Sequence, residues 1–191
     1  MILDYLSSID TALFVIVNRD LSNLFFDRVM PLVSFAGNSG AVWILLAVLL
    51  GLKNRHFRLR GFIVIALALV GSFLLADELL KHLFARPRPF LVIDPVNLLI
   101  TAPHDYSFPS GHSATAFAAA TAMALMDRRL TPAVMLLAAV EAYSRVYVGV
   151  HYPFDVMVGA MVGVLTGWVV VRLAGSRYGR HDAGQFQRWR Y

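Results

Sequence analysis

The chain has 191 residues, of which 58% are hydrophobic and only 15% charged, with a formal net charge of +5. A soluble domain is nearer one half apolar and about a quarter charged, so the composition excludes an ordinary soluble fold and points to one compact membrane domain. The basic residues cluster between apolar runs instead of forming one stripe, which argues against nucleic acid as a partner and for loops that set membrane topology. With no cysteine, neither a disulfide framework nor a thiolate metal site is available.

Residues 1–30 carry Asp4, Asp10, Asp20 and Asp27 against Arg19 and Arg28. No basic leader precedes a long apolar core, so no cleaved signal peptide is expected. The uncharged run Thr11 to Asn18 is too short for a hydrocarbon core that needs roughly 20 helical residues. Leu6, Ile9, Leu13, Phe14 and Ile16 recur at near-helical spacing, which predicts an interfacial helix or one packed along the bundle. Pro31 to Leu52 is uncharged and predicts a first span, followed by a basic loop with Lys53, Arg55, Arg58 and Arg60. Gly61 to Ala76 continues helically through Asp77 to His82 as the second span, and residues 83–109 form a long proline-rich connection. The alanine-rich run Ser113 to Met126, starting near Ser110, predicts a third span that ends in the basic turn Asp127, Arg128 and Arg129. Thr131 to about Val150 and Pro153 to Leu173 predict the fourth and fifth. From Arg172 the tail carries five arginines and one aspartate.

The expected fold is therefore all-α: a polytopic helix bundle with five transmembrane helices plus an N-terminal interfacial helix. Residues 1–30 form the interfacial segment, 31–174 the transmembrane domain and 175–191 a basic cytoplasmic tail. Basic loops and tail on the cytoplasmic side put the N-terminus outside. Three polar clusters, Lys81 to Pro89, Pro109 to His112 and Ser144 to Asp155, then all arrive at the outer face. The charge rule does not require that agreement, and it suggests one composite site.

Pro109 and Ser110 suit a helix start, where free backbone amides bind anions. Glycine at 111 lets the chain approach an oxyanion, with His112 in reach. Pro153 suits the first turn of the fifth span and places His151 at its mouth, four residues before Asp155. Glu141 lies within the fourth span, where an uncompensated charge costs about 2.5–3.5 kcal/mol on insertion scales. It precedes Arg145 by four residues, as Asp77 precedes Lys81, so both acids are expected to aim their cations through ion pairs. Arg86 is read as a headgroup anchor, and His56, His82, His104 and His181 as surface or capping residues. Gly159, Gly163 and Gly167 form a small-residue face suited to close packing within the bundle.

Taken together, these residues resemble the type 2 phosphatidic acid phosphatase superfamily of integral-membrane lipid phosphatases, which shares its site with vanadium-dependent haloperoxidases. The family pattern of lysine, six residues and Arg-Pro is met by Lys81 and Arg88-Pro89. Pro-Ser-Gly-His is met by Pro109 to His112, and the third part by Ser144-Arg145, His151 and Asp155. The resemblance implies that His151 is the nucleophile, forming a phosphohistidine, with Asp155 accepting a hydrogen bond from its other ring nitrogen. It implies that His112 is the acid and base, and that Lys81, Arg88, Arg145, Ser110 and the Gly111 amide hold the phosphoryl oxygens. Ser144, Glu141 and Asp77 support that set. So much fixed positive charge replaces a metal ion, so neither metal nor other cofactor is expected. The short frame looks most like bacterial undecaprenyl-pyrophosphate phosphatases, with phosphatidate or phosphatidylglycerophosphate as the alternative substrate. A membrane transporter would be as apolar but would not need the full phosphate-binding set; haloperoxidases share the motifs but are soluble. The apolar residues between Phe90 and Phe108 are expected to guide a lipid tail, or else to pack on the bundle.

Overall fold

The computed structural model describes residues 2–178, which form helices joined by turns and one long loop, with no strand among them. The predicted basic tail lies outside the described residues beyond Tyr178.

Helix α1, Ile2–Val15, continues in wider π-helical turns to Asp20. Asp10, Phe14 and Asn18, spaced by one turn each, are buried against the bundle, while Leu6, Leu13 and Ile16 remain exposed. The helix therefore packs along the bundle through a single stripe. Helix α2, Leu24–Ala36, starts at Asn23, whose side chain accepts the Phe26 amide at 3.1 Å. It is followed by α3, Ala41–Lys53. The sequence predicts one continuous span here, but the two helices are bent by 54° across a short break. Ser39 and Gly40 adopt positive φ values of 54° and 69° within that break. At Gly37 a Cβ would overlap the Glu141 carboxylate, so glycine leaves that carboxylate its place.

Helix α4, Leu59–Phe73, runs on through π-helical turns over Leu74–Leu80 into α5, Lys81–Phe84. Helix α6, Gly111–Met126, is capped by Ser110 and buried on nearly every side. Around it pack α4, α7 (Thr131–Tyr147) and α8 (Pro153–Tyr178). Alanine on α6 and glycine on α8 allow close approach: a Cβ at Gly159, Gly163 or Gly167 would strike the carbonyl oxygens of Ser110, Ala114 and Ala118. The glycine face thus packs inside the bundle. Farther along, Trp43, Phe57, Ile65 and Met123 form the main apolar core. The two basic turns adjoin each other, because Asn54 Nδ2 donates to Asp127 Oδ2 at 3.1 Å.

Two stretches among the described residues, Leu59–Leu91 and Pro153–Gly175, are each long and apolar enough to cross a membrane, and α2 with α3 would make a third if taken together. Helices α6 and α7 have 16 and 17 residues. At 1.5 Å rise per residue they reach only about 24–26 Å, short of a hydrocarbon core of about 30 Å. The bundle is thus an apolar, membrane-embedded assembly whose most buried helix, α6, falls short of that thickness by itself.

The connection from Phe90 to Phe108 mostly packs on the bundle. Phe90, Leu98, Leu99 and Ile100 cover Tyr147, Val148 and Val150, and Ile93 and Val96 cover Phe14 and Tyr152. Leu91 and Val92 stay exposed.

Candidate active site

Six chain segments converge at one end of the bundle: α2 with the break after it, the start of α5, the long loop that follows α5, the start of α6, the end of α7 and the turn that leads into α8. Between them lies a cavity of about 570 Å³ whose walls include Lys81, Arg88, His112, Arg145 and His151. Both histidines face the same space.

The three cations are buried and individually held. Lys81 pairs with Asp77, one helical turn before it, and with Asp105 at 2.5 Å. Arg88 donates from Nη2 to Asp105 Oδ1 at 2.6 Å, from Nε to the Asp105 carbonyl at 2.9 Å and from Nη1 to the Val150 carbonyl at 2.8 Å. Arg145 donates to the Ser34 hydroxyl, and its Nε has no protein partner. Asp105 thus ties up two of the three cations with its own carboxylate. Burial pushes that carboxyl up, but the hydrogen bonds and charges of Lys81 and Arg88 outweigh it and hold Asp105 well below the usual carboxylate range.

His151 is 1% exposed. Its Nε2 lies 3.3 Å from Arg88 Nη1, and its Nδ1 lies 3.6 Å from Asp155 Oδ2 with no hydrogen-bond partner. That 3.6 Å is longer than a hydrogen bond. Burial, followed by the charges of Arg88, Arg145 and Lys81, holds His151 well below the usual histidine value, so its ring is neutral near pH 7. Asp155 is occupied elsewhere: Oδ2 accepts from the Ser107 hydroxyl and from the Tyr152 amide at 2.9 Å, and Oδ1 accepts from Arg86 at 2.6 Å. On the opposite wall, His112 Nε2 lies 2.9 Å from Asn38 Oδ1.

A match to the family model described as "PAP2 superfamily" covers residues 61–178. The chain belongs to the PAP2 superfamily. An undecaprenyl-diphosphatase of Sulfolobus acidocaldarius is 35% identical over 139 residues, which span 71% of this chain and 65% of that protein. A lipid A 4'-phosphatase of Bacteroides thetaiotaomicron is 30% identical over 186 residues, spanning 90% of this chain and 80% of the relative. The crystal structure of Aquifex aeolicus LpxE superposes with a TM-score of 0.74 at 31% identity, covering 84% of this chain and 93% of that one.

Within the PAP2 segment, several sequence-predicted residues stand behind the cavity wall. Ser110 caps α6 by accepting from the Ser113 amide at 3.4 Å, and its own amide donates to the Asp155 carbonyl at 2.9 Å. Gly111 is packed so tightly on Asp77 that a Cβ would overlap the carboxylate. Ser144 turns its hydroxyl back to the Glu141 carbonyl at 2.6 Å. Glu141 departs from expectation, because no ion pair joins it to Arg145. Its Oε2 accepts from Trp43 Nε1 at 2.8 Å and its Oε1 has no partner. Asp77 does pair with Lys81, as expected. Arg86 is no headgroup anchor, since it bridges Asp155 and Asp10. His104, read as a surface residue, is exposed and also lines the cavity.

Sequence reasoning missed Ser34, Asn38 and Asp105. Ser34 and Asn38 precede the PAP2 match, on α2 and on the break that follows it. The cluster Gly37-Asn38-Ser39-Gly40 is a turn signature within an apolar run and is the signal that was available.

Proposed function

We propose that this PAP2 protein hydrolyses a membrane lipid phosphate without a metal, through a phosphohistidine on His151. The observation that carries the reading is the convergence of His112, His151, Lys81, Arg88 and Arg145 on one cavity of about 570 Å³. Three fixed cations suit the equatorial oxygens of a phosphoryl group in flight. His151 Nε2, neutral and turned toward Arg88, attacks phosphorus as the bond to the leaving oxygen breaks. His112 protonates that oxygen, then takes a proton from the water that attacks the phosphohistidine, which frees His151 and releases phosphate. Asp155 takes the Nδ1 proton's hydrogen bond once positive charge develops on the ring, closing the 3.6 Å gap as catalytic contacts do on substrate binding. Gly111 contributes through its amide in the first turn of α6, and Ser110 by capping that turn.

The favoured substrate is undecaprenyl pyrophosphate, cleaved to undecaprenyl phosphate, a reading supported by the relative of that name in Sulfolobus. The lipid A 4'-phosphatase of Bacteroides aligns over more of the chain and makes a lipid A phosphate the second reading. The cavity faces the periplasmic or extracellular side in this reading, with five membrane crossings and a cytoplasmic C-terminus. Its support is that the two basic turns adjoin at the end of the bundle away from the cavity.

The test is phosphate release from undecaprenyl diphosphate, lipid A, phosphatidylglycerophosphate and phosphatidate in one detergent, with His151→Ala alongside. Release from the prenyl diphosphate at least tenfold faster than from the others, abolished in His151→Ala, insensitive to chelator and blocked by vanadate, is expected. A preference for lipid A or a glycerolipid replaces the substrate reading, and activity lost in chelator and restored by magnesium overturns the mechanism.

A further inference from the structure

Helix α1 lies outside the PAP2 match yet delivers one fully buried carboxylate to the back of the site. Asp10, 1% exposed, makes two contacts there. Its Oδ2 accepts from Arg86 Nη2 at 2.8 Å, and its Oδ1 accepts the Phe154 amide in the first turn of α8 at 2.8 Å. Arg86 is held in turn: its guanidinium lies 3.8 Å above the Tyr152 ring and its Nη1 donates to Asp155 Oδ1 at 2.6 Å. One guanidinium therefore serves two buried carboxylates, and the group of three carries a net charge of −1 directly behind the His151 ring.

Two consequences follow from that geometry. Arg86, the Ser107 hydroxyl and the Tyr152 amide together leave Asp155 no freedom to rotate, so Oδ2 stays opposite His151 Nδ1. A lone Arg86–Asp155 pair would be neutral and would give the imidazole little to lean on as it becomes cationic. Asp10 supplies the second negative charge, so Asp155 keeps an uncompensated share for the ring. We infer that Asp10 and Arg86 are positioning residues for phosphoryl transfer, acting on His151 through Asp155, and that α1 is by this route part of the catalytic apparatus. The inference rests on the phosphatase reading above.

The experiment uses the full chain in detergent with undecaprenyl diphosphate as substrate and inorganic phosphate as a competing ligand. Arg86→Gln should lower kcat about 30- to 100-fold, the scale of a misplacement near 1 Å. KM and the phosphate inhibition constant should stay within threefold, because Lys81, Arg88 and Arg145 are untouched. Arg86→Lys should recover at least a tenth of wild-type kcat, and Asp10→Asn should lose about 5- to 10-fold through kcat alone, as for a misplacement well under 1 Å. The double variant Asp10→Asn/Arg86→Gln, which removes opposite charges together and guards against misfolding, should lose no more than Arg86→Gln does, since both act through one group. The inference is overturned if folded Arg86→Gln and Asp10→Asn keep wild-type kcat, or if the phosphate constant rises in step with the fall in kcat, as for a direct ligand. A wild type no more active than His151→Ala is a different outcome, and it removes the phosphatase reading and this inference together.

Discussion

Alanine at Gly159 would place a methyl group between two helices that carry different parts of the site. Its Cβ would lie 3.1 Å from Ser113 Cβ and nearer still to the Ser110 carbonyl oxygen, a backbone atom that cannot rotate away. Gly167 offers the matched control, about 12 Å farther along α8 by helical rise. There a Cβ would lie 2.5 Å from the Ala118 carbonyl oxygen, where ordinary contact begins near 3.4 Å, so α6 and α8 must part by about 0.9 Å. Either substitution should cost about 1–3 kcal/mol, as overpacking usually does. Activity should separate them. Parting the helices at Gly159 stretches the 2.9 Å bond from the Ser110 amide to the Asp155 carbonyl and moves His112 relative to His151. A shift of 1 Å in such an arrangement costs about 100-fold. The expected result is a 30- to 100-fold loss of kcat/KM for Gly159→Ala against less than about fivefold for Gly167→Ala, with similar drops in melting temperature. Phosphate release and tryptophan-fluorescence melting in the same detergent measure both. Equal activity losses, or Gly159→Ala within twofold of wild type, would refute the idea that the α6–α8 distance sets the site.

Four further outcomes are expected. Asp105→Asn releases Lys81 and Arg88 from one shared carboxylate, leaving Lys81 its pair with Asp77, so vanadate and phosphate should inhibit about 3- to 10-fold more tightly at pH 7, given that charge-assisted bonds from Asp105 no longer compete; an unchanged inhibition constant would show that Asp105 does not compete. Because the folded carboxyl sits below its unfolded value of about 3.9, its ion pairs contribute stability above that pH and lose it as pH falls through the folded value. The melting-temperature gap between wild type and Asp105→Asn should accordingly be flat from about pH 8 to 5 and close below about pH 4. Asn38→Ala removes the partner of His112 and should lower kcat about tenfold or more with little change in KM, within the range attributed to a general acid–base group; an unchanged kcat would show that Asn38 does not orient the ring. Ser34→Ala should raise the phosphate inhibition constant more than Glu141→Gln does, since Arg145 is held by Ser34 and not by Glu141; the reverse order would restore the Glu141–Arg145 pair.

The parts of the site readable from sequence are those where a charge in an apolar chain has few places to go. Lys81, Arg88, His112, Arg145 and His151 sit at the ends of apolar runs, and alternating the direction of successive helices gathers those ends. Contacts that depend on which way a side chain turns were not readable. Asp77 and Glu141 each precede a cation by four residues on a helix, and the same spacing suggested the same pairing. Spacing on a helix fixes only that two side chains share a face. Asp77 lies beside the cavity where Lys81 ends, and the pair forms. Glu141 is drawn instead to the Trp43 indole on α3, in a space that opens only because Gly37 has no side chain.

The remaining unreadable contacts share a different cause. Arg86 and Asp10 are 76 residues apart, and Lys81 and Asp105 are 24 apart across a loop without periodicity. No local pattern carries such pairings, because they arise from how α1 and the proline-rich connection settle on a finished bundle. The break at Gly37 to Gly40 is intermediate. Its glycines and polar residues announce a turn, but the uncharged run around them is long enough to read as a single span. Composition argues for continuity there, whereas local chemistry argues for a break that brings Asn38 to His112. The local chemistry prevails because Ser39 and Gly40 sit at positive φ, a backbone state that an uninterrupted helix cannot contain.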